Sequence, residues 1–592
     1  MKIDEGYVKL FADSLEMSQS FFQSMQILWQ NQQIFYDNFA EFSLINDKIQ
    51  SWRAEIVRRT PERFFNAYAG LSLEYYQLIH HCYEKMVNKA IPPFIEVASH
   101  DKRFRSNQWH DNIIFYVYQQ SYLLYVKHVI AYIESNDRDD HKKHEQIHFF
   151  AKQFLNALSP SNYWLTNPDV FFKTLDQKGE NLFSGWKRFI ADLQRGEGYL
   201  NPMMVEKEAY SIGKDIAATP GKVVFKNRLI ELIQYSPATP EVYEIPLLVI
   251  PPWINKYYVL DLRQDNSFVK WIAEQGYTVF IISWAAIDET YADTGFADYM
   301  LEGIIPATEE IMKITKLEKL NALGFCIGGT LLCMTMAYLA AKQDKRIHSA
   351  TFLATLIDFK EPGDLGLYVD EQQFALIKNS LTKKGYFDGR SLMGIFNLLR
   401  ANELYWPYII NNYLLAQHLH SFDLLYWNQD STHLPAKMMC EYLENLYLKN
   451  KFFNNQLVWN NTPLLLKNIH VPCYFLATEQ DHIAPWLACF SGAKQFTDNV
   501  TFVLGGSGHI AGIVNPPQAH KYGYYVNEKA ISDFMSPAVW LQEAIKQEGS
   551  WWEHWQSWLS HLSGKKISAR KPAKHFSDAP GENVKVSIYK KR

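Results

Sequence analysis

The sequence predicts an α/β domain that carries an inserted, mostly helical cap and is preceded by an all-helical N-terminal domain. Three observations support this prediction. Residues 1–195 carry apolar side chains at three- and four-residue steps, as helices do. From residue 196 onward, short apolar runs alternate with helical stretches, which is typical of a parallel sheet covered by helices. Between residues 357 and 460 this alternation stops, and a long aromatic, helical segment intervenes.

Length and composition indicate a folded chain of two domains, 1–195 and 196–592. A chain of 592 residues is too long for one ordinary core. Hydrophobic residues make up 47% and charged residues 21%, as in globular proteins. The net charge of −4 gives no electrostatic case for nucleic-acid binding. The basic residues near the C-terminus are interpreted as a solvated tail.

The N-terminal domain begins with an aromatic stripe at helical spacing. Its members are Phe11, Leu15, Phe22, Met25, Trp29, Phe35, Phe39 and Phe42. Such a stripe usually packs in a core, and docking onto a partner or an apolar surface is the alternative.

Targeting signals are not evident, and we expect a cytoplasmic protein. Residues 1–10 include acidic side chains where a secretory signal needs a basic end and an apolar run. The six cysteines lack framework spacing, as expected for reduced thiols. Residues 320–341 carry no charge and are long enough to span a bilayer. However, Gly324, Gly328 and Gly329 interrupt them, so we expect a strand, a turn and a buried helix and no transmembrane segment.

Six apolar runs of the second domain are predicted to be buried parallel strands, each followed by a loop. They lie within 245–255, 277–284, 321–326, 348–355, 471–482 and 499–509. Functional side chains are expected on the loops at the carboxyl ends of these strands.

The stretch LNALGFCIGGTLL, residues 320–332, is typical of a nucleophile elbow with Cys326 at its turn. Small residues flank the nucleophile in G-x-C-x-G because this strand-to-helix turn is tight. The amide of Ile327 is the expected first donor to an oxyanion, and Ile254, in the loop after an earlier strand, is the candidate second donor. A buried structural cysteine beside helix-packing glycines is the alternative for this motif alone.

Asp481 and His509 complete a predicted Cys-His-Asp triad. Nucleophile, acid and base follow each other in this order in the α/β-hydrolase fold. Asp481 follows one predicted strand, and His509 lies on a glycine-rich loop after the next. The long separation between Cys326 and Asp481 leaves room for the cap.

Two other motifs are less convincing. HEQIH, residues 144–148, matches the H-E-x-x-H pattern of zinc proteases, but no extended set of ligands follows, so a charged helix surface is expected. Residues 506–511 resemble a dinucleotide fingerprint, yet the chain then runs into Asn515 and two prolines instead of an uninterrupted helix. We therefore expect neither a metal nor a cofactor.

In its motifs the chain resembles the single-subunit polyhydroxyalkanoate synthases. LGFCIGGTLL resembles the lipase-like box of that family with cysteine as nucleophile, and DHIAPW and GGSGHIAGIVNPP resemble the segments with its aspartate and histidine. Further matches lie at 159–171, 213–237, 251–268, 421–435 and 549–559. The first 140 residues match by helical character alone. The length of the chain favours class I, the poly(3-hydroxybutyrate) polymerases. The medium-chain class has similar motifs and stays open as the alternative.

This resemblance implies an acyltransferase that polymerises (R)-3-hydroxyacyl-CoA, with 3-hydroxybutyryl-CoA as the expected substrate, and releases CoA. Cys326 would be the acylated nucleophile and His509 the general base. Asp481 would either orient His509 or activate the incoming 3-hydroxyl. Trp427 matches a tryptophan that the family associates with dimer contact and the apolar surface. Members need no metal and act as homodimers on polyester granules with granule-associated proteins.

The chemistry of thioesters independently favours a thiol at this turn. A thiolate exchanges one thioester for another, so the acyl group stays activated until it is transferred to a hydroxyl. An apolar cap would exclude water from this intermediate. Two alternatives remain open, a cysteine-dependent thioesterase or esterase on the same scaffold and a non-catalytic granule-surface protein. The sequence assigns no residues to CoA binding.

Overall fold

The computed structural model describes residues 61–135, 141–198, 200–206, 208–419, 421–496, 499–572 and 576–589. The aromatic stripe at Phe11–Phe42 lies outside these residues. The chain divides into two compact units, one of Met1–Met204, Met393–His420 and Tyr589–Arg592, the other of Val205–Leu392 and Ser421–Ile588. Residues 393–420 fall inside the predicted cap limits of 357–460 but group with the first unit.

The first unit is helical from residue 61 to residue 195, as predicted. Its helices are α1 Pro61–Val87, α2 Ile113–Glu134, α3 His141–Ala157, α4 Pro168–Asp176 and α5 Glu180–Arg195, with short helices at Gln108–Asp111, Ala401–Leu404 and Trp406–Tyr408 and a π-helix at Ile409–Leu414. Asn112 caps α2 by accepting the amide of Ile114. Buried aromatic rings from the start of α2 and the segment before it, such as Trp109 and Phe115, form one of its cores.

The second unit is built on an eleven-stranded mixed sheet. Its strands and those of three two-stranded sheets are β1 Gly221–Lys226, β2 Ile230–Tyr235, β3 Glu241–Tyr243, β4 Leu247–Ile250, β5 Val279–Trp284, β6 Leu320–Phe325, β7 Ile347–Leu353, β8 Tyr386–Phe387, β9 Leu434–Pro435, β10 Val458–Trp459, β11 Thr462–Pro463, β12 Cys473–Thr478, β13 Val500–Gly505, β14 Tyr524–Val526, β15 Ile545–Gln547, β16 Lys566–Ser568 and β17 Ser577–Asp578. The sheet order is β15-β14-β13-β12-β7-β6-β4-β5-β2-β1-β17.

Helices of the second unit cover this sheet and fill the insertion. They are α6 Phe268–Glu274, α7 Ile305–Thr315, α8 Ile327–Ala341, α9 Asp364–Leu367, α10 Glu371–Lys384, α11 Gly389–Leu399, which extends into the first unit, α12 Asp423–Gln429, α13 Ala436–Tyr442, α14 Trp486–Ala493, α15 Pro537–Glu543 and α16 Trp551–His561, with a short helix at Phe296–Asp298 and π-helices at Tyr299–Ile304 and Leu443–Leu448. Trp551, Trp552 and Trp555 place one face of α16 in the core, where they contact Phe268.

All six predicted strands are present and form the parallel centre of the sheet. β4, β5, β6, β7, β12 and β13 pair in parallel, and the flanking strands pair antiparallel. The order reverses at β4, because β5 lies on one side of it and β6 on the other. The carboxyl ends of β4 and β6 therefore flank a topological switch point, where ligands bind in open α/β sheets.

The uncharged stretch at residues 320–341 forms β6 and the buried helix α8, as expected. Within the ranges given above, no helix combines the length and the apolar character that crossing a bilayer requires. The predicted cap lies between β7 and β12 and is mostly helical.

Gly328→Ala is expected to destabilise the second unit by about 1–3 kcal/mol, because it overpacks a rigid contact. A Cβ at Gly328 would lie 2.3 Å from the carbonyl oxygen of Ile250 at the end of β4. Gly505→Ala, in β13, is the matched control, since a Cβ there would meet no atom closer than 3.6 Å. Urea unfolding measures both variants. Equal midpoints would show that close approach at Gly328 does not limit stability.

Candidate active site

Cys326 lies between β6 and α8 in a backbone conformation that few residues adopt. Its φ of 54° and ψ of −126° are strained for a residue with a Cβ. A Cβ on Gly324 would lie 2.4 Å from the Cα of Gly329, so the turn closes only with glycine on both sides. The amide of Cys326 donates to the carbonyl of Leu353 on β7 at 2.9 Å, which fixes the turn to the sheet. The predicted strand, turn and helix are confirmed.

Asp481 follows β12 and is held by its own loop. Its Oδ1 accepts the amides of Ile483 at 2.9 Å and Ala484 at 2.8 Å, and its Oδ2 lies 2.7 Å from Nδ1 of His509. Asp481 and His509 are both buried. The carboxylate therefore has a fixed orientation, with one oxygen directed at the imidazole.

His509 follows β13, and its Nδ1 pairs with Oδ2 of Asp481 at 2.7 Å. The thiol of Cys326 is close enough to influence the pKa of this imidazole. Phe325, next to the thiol, stacks on the imidazole with ring centroids 5.5 Å apart. Burial lowers the pKa of His509, but the negative charges of Asp481 and of the Cys326 thiolate outweigh it and raise that pKa well above 6.5.

The two predicted oxyanion donors belong to segments that touch each other. Ile327 is the first residue of α8, and Ile254 lies in the loop after β4. Next to Ile327, a Cβ on Gly328 would lie 2.7 Å from the carbonyl oxygen of Pro251, so the start of α8 packs against that loop. In the described loops and turns, neither the amide of Ile254 nor that of Ile327 donates a backbone hydrogen bond.

Two tyrosines of the insertion lie within electrostatic range of Cys326, and the sequence pattern does not single them out. Tyr442 ends α13, and Tyr447 lies in the π-helix that follows. Both are buried, their rings meet edge to face at 5.3 Å, and the pKa of each is raised, mainly by burial and also by the charge of the Cys326 thiolate. Aromatic residues are frequent throughout this insertion, so no local pattern distinguishes these two.

Trp427 does not occupy the surface position that the resemblance implied. Its side chain is 7% exposed, and its indole Nε1 donates to the carbonyl of Lys256 at 2.7 Å. Trp427 is therefore a buried contact between α12 and the loop after β4.

The HEQIH motif lies on the helix α3, in agreement with the predicted charged helix surface. Nε2 of His144 lies 3.2 Å from the carbonyl oxygen of Ile133, and Nε2 of His148 lies 3.9 Å from a carboxylate oxygen of Glu134. Among the residues that the structure describes, no three His, Cys, Asp or Glu side chains form a cluster that could hold a metal ion.

The sheet and the strand-turn-helix at Cys326 define the class of the second unit. Residues 248–516 match the family model described as the alpha/beta hydrolase fold. The second unit is an α/β-hydrolase domain, as predicted.

Comparison with known proteins identifies the family. Residues 100–272 match the model described as "Poly-beta-hydroxybutyrate polymerase (PhaC) N-terminus". A poly(3-hydroxyalkanoate) polymerase of Methylorubrum extorquens is 40% identical over 539 residues, which cover 90% of this chain and 88% of that protein. A poly(3-hydroxyalkanoate) polymerase subunit of Cupriavidus necator is 36% identical over 500 residues, covering 82% and 83%. The chain belongs to the poly(3-hydroxyalkanoate) polymerase family.

His509→Gln is expected to lose stability relative to the wild type mainly at low pH. Because the folded-state pKa of His509 is raised above the ordinary 6.5, its stabilising contribution is complete below pH 6.5 and disappears as the pH rises through the folded pKa. Denaturant unfolding from about pH 5 to about pH 9 measures the difference.

His348→Gln is the control for this titration. Burial lowers the pKa of His348, so the pH dependence of its contribution has the opposite sign. A His509→Gln difference that grew with pH would contradict the raised pKa.

Proposed function

We propose that this protein polymerises (R)-3-hydroxyacyl-CoA into a polyester and releases CoA, with 3-hydroxybutyryl as the acyl group of a class I enzyme. One observation carries the proposal. The side chains of Cys326, His509 and Asp481 come together at the carboxyl edge of the sheet, with His509 and Asp481 buried and the thiol partly exposed, in a chain of the poly(3-hydroxyalkanoate) polymerase family.

In the acylation step, Sγ of Cys326 attacks the thioester carbonyl carbon while His509 holds the thiol proton. The C–S bond to CoA then breaks, and CoA leaves as a thiol after receiving that proton. The amides of Ile327 and Ile254 stabilise the oxyanion of the tetrahedral intermediate. Cys326 is left as a thioester, so acylation is close to isoenergetic.

In the elongation step, the 3-hydroxyl of an acyl group attacks the thioester on Cys326. His509 removes the hydroxyl proton, an oxoester forms, and the thiolate of Cys326 is released. Both carboxylate oxygens of Asp481 are occupied, Oδ1 by two backbone amides and Oδ2 by His509. This geometry supports an orienting role for Asp481 over direct activation of the 3-hydroxyl.

The aromatic wall beside the thiol supports polymerisation over hydrolysis. Tyr442 stacks on Phe296, and Tyr447 packs edge to face on Phe359 with ring centroids 5.1 Å apart. All four side chains are buried. A site lined in this way excludes water, which would otherwise compete with the 3-hydroxyl for the acyl-enzyme.

Association with polyester granules in the cytoplasm is part of the proposal, as are a homodimer and granule-associated partners. The helix α1 supports granule association because it presents aromatic and aliphatic side chains to solvent. The exposed side chains include Phe65, Tyr68, Leu73, Tyr76, Ile79 and Tyr83. An exposed apolar patch of this kind is typical of a surface that docks on a partner or an apolar phase.

Cys326→Ala is expected to reduce CoA release from (R)-3-hydroxybutyryl-CoA by a factor on the order of 10⁴ or more, because the nucleophile is lost. Polymer, collected by sedimentation, should disappear with it. Thiol release, free hydroxy acid and sedimented polymer are measured in one incubation of the wild-type protein.

That incubation also separates the alternatives. Free acid in step with CoA, without polymer, would identify a thioesterase or esterase. No CoA release with any chain length tested would favour a non-catalytic granule-surface protein.

Tyr442→Ala is expected to raise the ratio of free hydroxy acid to polymer severalfold, because removal of the ring admits water to the acyl-enzyme. Tyr442→Phe is the matched control, since it keeps the ring and removes the hydroxyl alone. The same incubation measures both products. An unchanged ratio in Tyr442→Ala would show that this wall does not exclude water.

A further inference from the structure

The loop after β4 is fastened by one short segment of the insertion. We call residues 251–256 the β4 loop and residues 427–432 the fastening segment. Both belong to the second unit. The contacts between them are directed mainly at backbone carbonyls of the β4 loop, so they fix the orientation of its peptide planes.

Thr432 makes the contacts closest to the proposed oxyanion donor. Its Oγ1 lies 2.6 Å from the carbonyl oxygen of Trp253 and 3.0 Å from that of Ile254. Its amide donates to the carbonyl of Ile254 at 3.3 Å. The hydroxyl has one hydrogen, so it donates best to the nearer carbonyl of Trp253 while the amide of Thr432 donates to that of Ile254. One residue thus holds two successive carbonyls.

Trp427 and an ion pair hold the far end of the β4 loop. The indole of Trp427 donates to the carbonyl of Lys256 at 2.7 Å, and Nζ of Lys256 lies 2.7 Å from a carboxylate oxygen of Asp430. Asn255 donates its side-chain amide to the carbonyls of Trp427 and Asn428, both at 3.3 Å. The Lys256 side chain is 5% exposed, so this pair is shielded from solvent.

The near end of the β4 loop is held by the sheet. The indole of Trp284, the last residue of β5, donates to the carbonyl of Pro251 at 3.0 Å. The ring of Trp253 stacks on Tyr299 with centroids 4.5 Å apart. Both ends of the β4 loop are therefore held. Thr432 restricts the remaining rotation of the peptide between Trp253 and Ile254.

The geometry of the peptide bond links the contact between Thr432 and the Trp253 carbonyl to the orientation of the Ile254 amide. In a trans peptide the carbonyl of one residue and the N–H of the next point to opposite sides of the chain. When Thr432 binds the Trp253 carbonyl, it therefore directs the Ile254 N–H away from the fastening segment. The start of α8, which directly follows Cys326, packs against this same loop.

We propose that Thr432, supported by Trp427, is a positioning residue that aims the amide of Ile254 at the oxyanion formed on the thioester carbonyl. This inference rests on the function proposed above. An oxyanion donor acts in the transition state far more than in the substrate complex, so its misplacement should lower kcat and leave KM nearly unchanged.

The test compares Thr432→Val with Thr432→Ser in the full-length protein. Valine keeps the shape of threonine and removes the hydroxyl, whereas serine keeps the hydroxyl. We expect Thr432→Val to lower kcat for CoA release from (R)-3-hydroxybutyryl-CoA by about 10-fold or more with KM within about twofold, and Thr432→Ser to retain most of the wild-type kcat.

Trp427→Phe provides a second, independent variant, with Trp555→Phe as its matched control. Both tryptophans are buried and donate an indole N–H, Trp427 to the β4 loop and Trp555 to Oγ1 of Thr351 within the sheet at 2.9 Å. Both variants should lower the unfolding midpoint. We expect Trp427→Phe alone to lower kcat, with an oligomeric state, measured by sedimentation velocity, equal to that of the wild type.

The outcomes are separable. If wild-type protein releases no CoA, the proposed function fails before the variants are compared. If the wild type is active, the inference is overturned by a Thr432→Val kcat equal to that of the wild type, by an equal loss in Thr432→Ser, or by a rise in KM in place of a fall in kcat. If Thr432→Val does not fold, equal kcat values for Trp427→Phe and Trp555→Phe overturn it.

Discussion

The conformation of Cys326 depends on close backbone packing at the end of β6, and the other parts of the site are arranged around it. A side chain at φ 54° and ψ −126° costs on the order of 1–3 kcal/mol unless neighbouring structure enforces it. Here the neighbouring structure is the tight packing at Gly324, Gly328 and Gly329. A Cβ at any of these glycines would overlap another segment of the same domain. Because β4 and β6 are adjacent in the sheet, the same packing that exposes the thiol also brings the β4 loop against the start of α8.

Electrostatics then couple the loops after β12 and β13 to the thiol. A buried imidazole is costly to charge. Asp481, fixed by two backbone amides, supplies the negative charge that compensates His509. This pairing requires the loops after β12 and β13 to meet at one edge of a rigid sheet, where the loop that carries Cys326 also lies.

The features that the sequence predicts correctly are those that a local pattern encodes. The six central strands are continuous apolar runs, because parallel strands are buried on both faces. The outer antiparallel strands β1 and β2 were not predicted, since they mix charged residues with apolar ones. Glu231 in β2 is 1% exposed, and its carboxylate accepts the amides of Glu582 and Asn583, near the other end of the chain. The proximity of Tyr442 to Cys326 and the burial of Trp427 depend on long-range packing in the same way, and no motif could have revealed them.

The insertion contributes to the site in two ways that constrain each other. Its π-helix places Tyr447 beside the thiol, and its fastening segment holds the carbonyls of the β4 loop. A movement of the whole insertion that opened the aromatic wall would also release Trp253 and Ile254 from Thr432. Substrate entry and polymer exit must therefore leave residues 427–432 in place if the Ile254 amide is to act in every turnover. In the proposed mechanism, the insertion therefore contributes both the segment that positions the Ile254 amide and the aromatic side chains that exclude water.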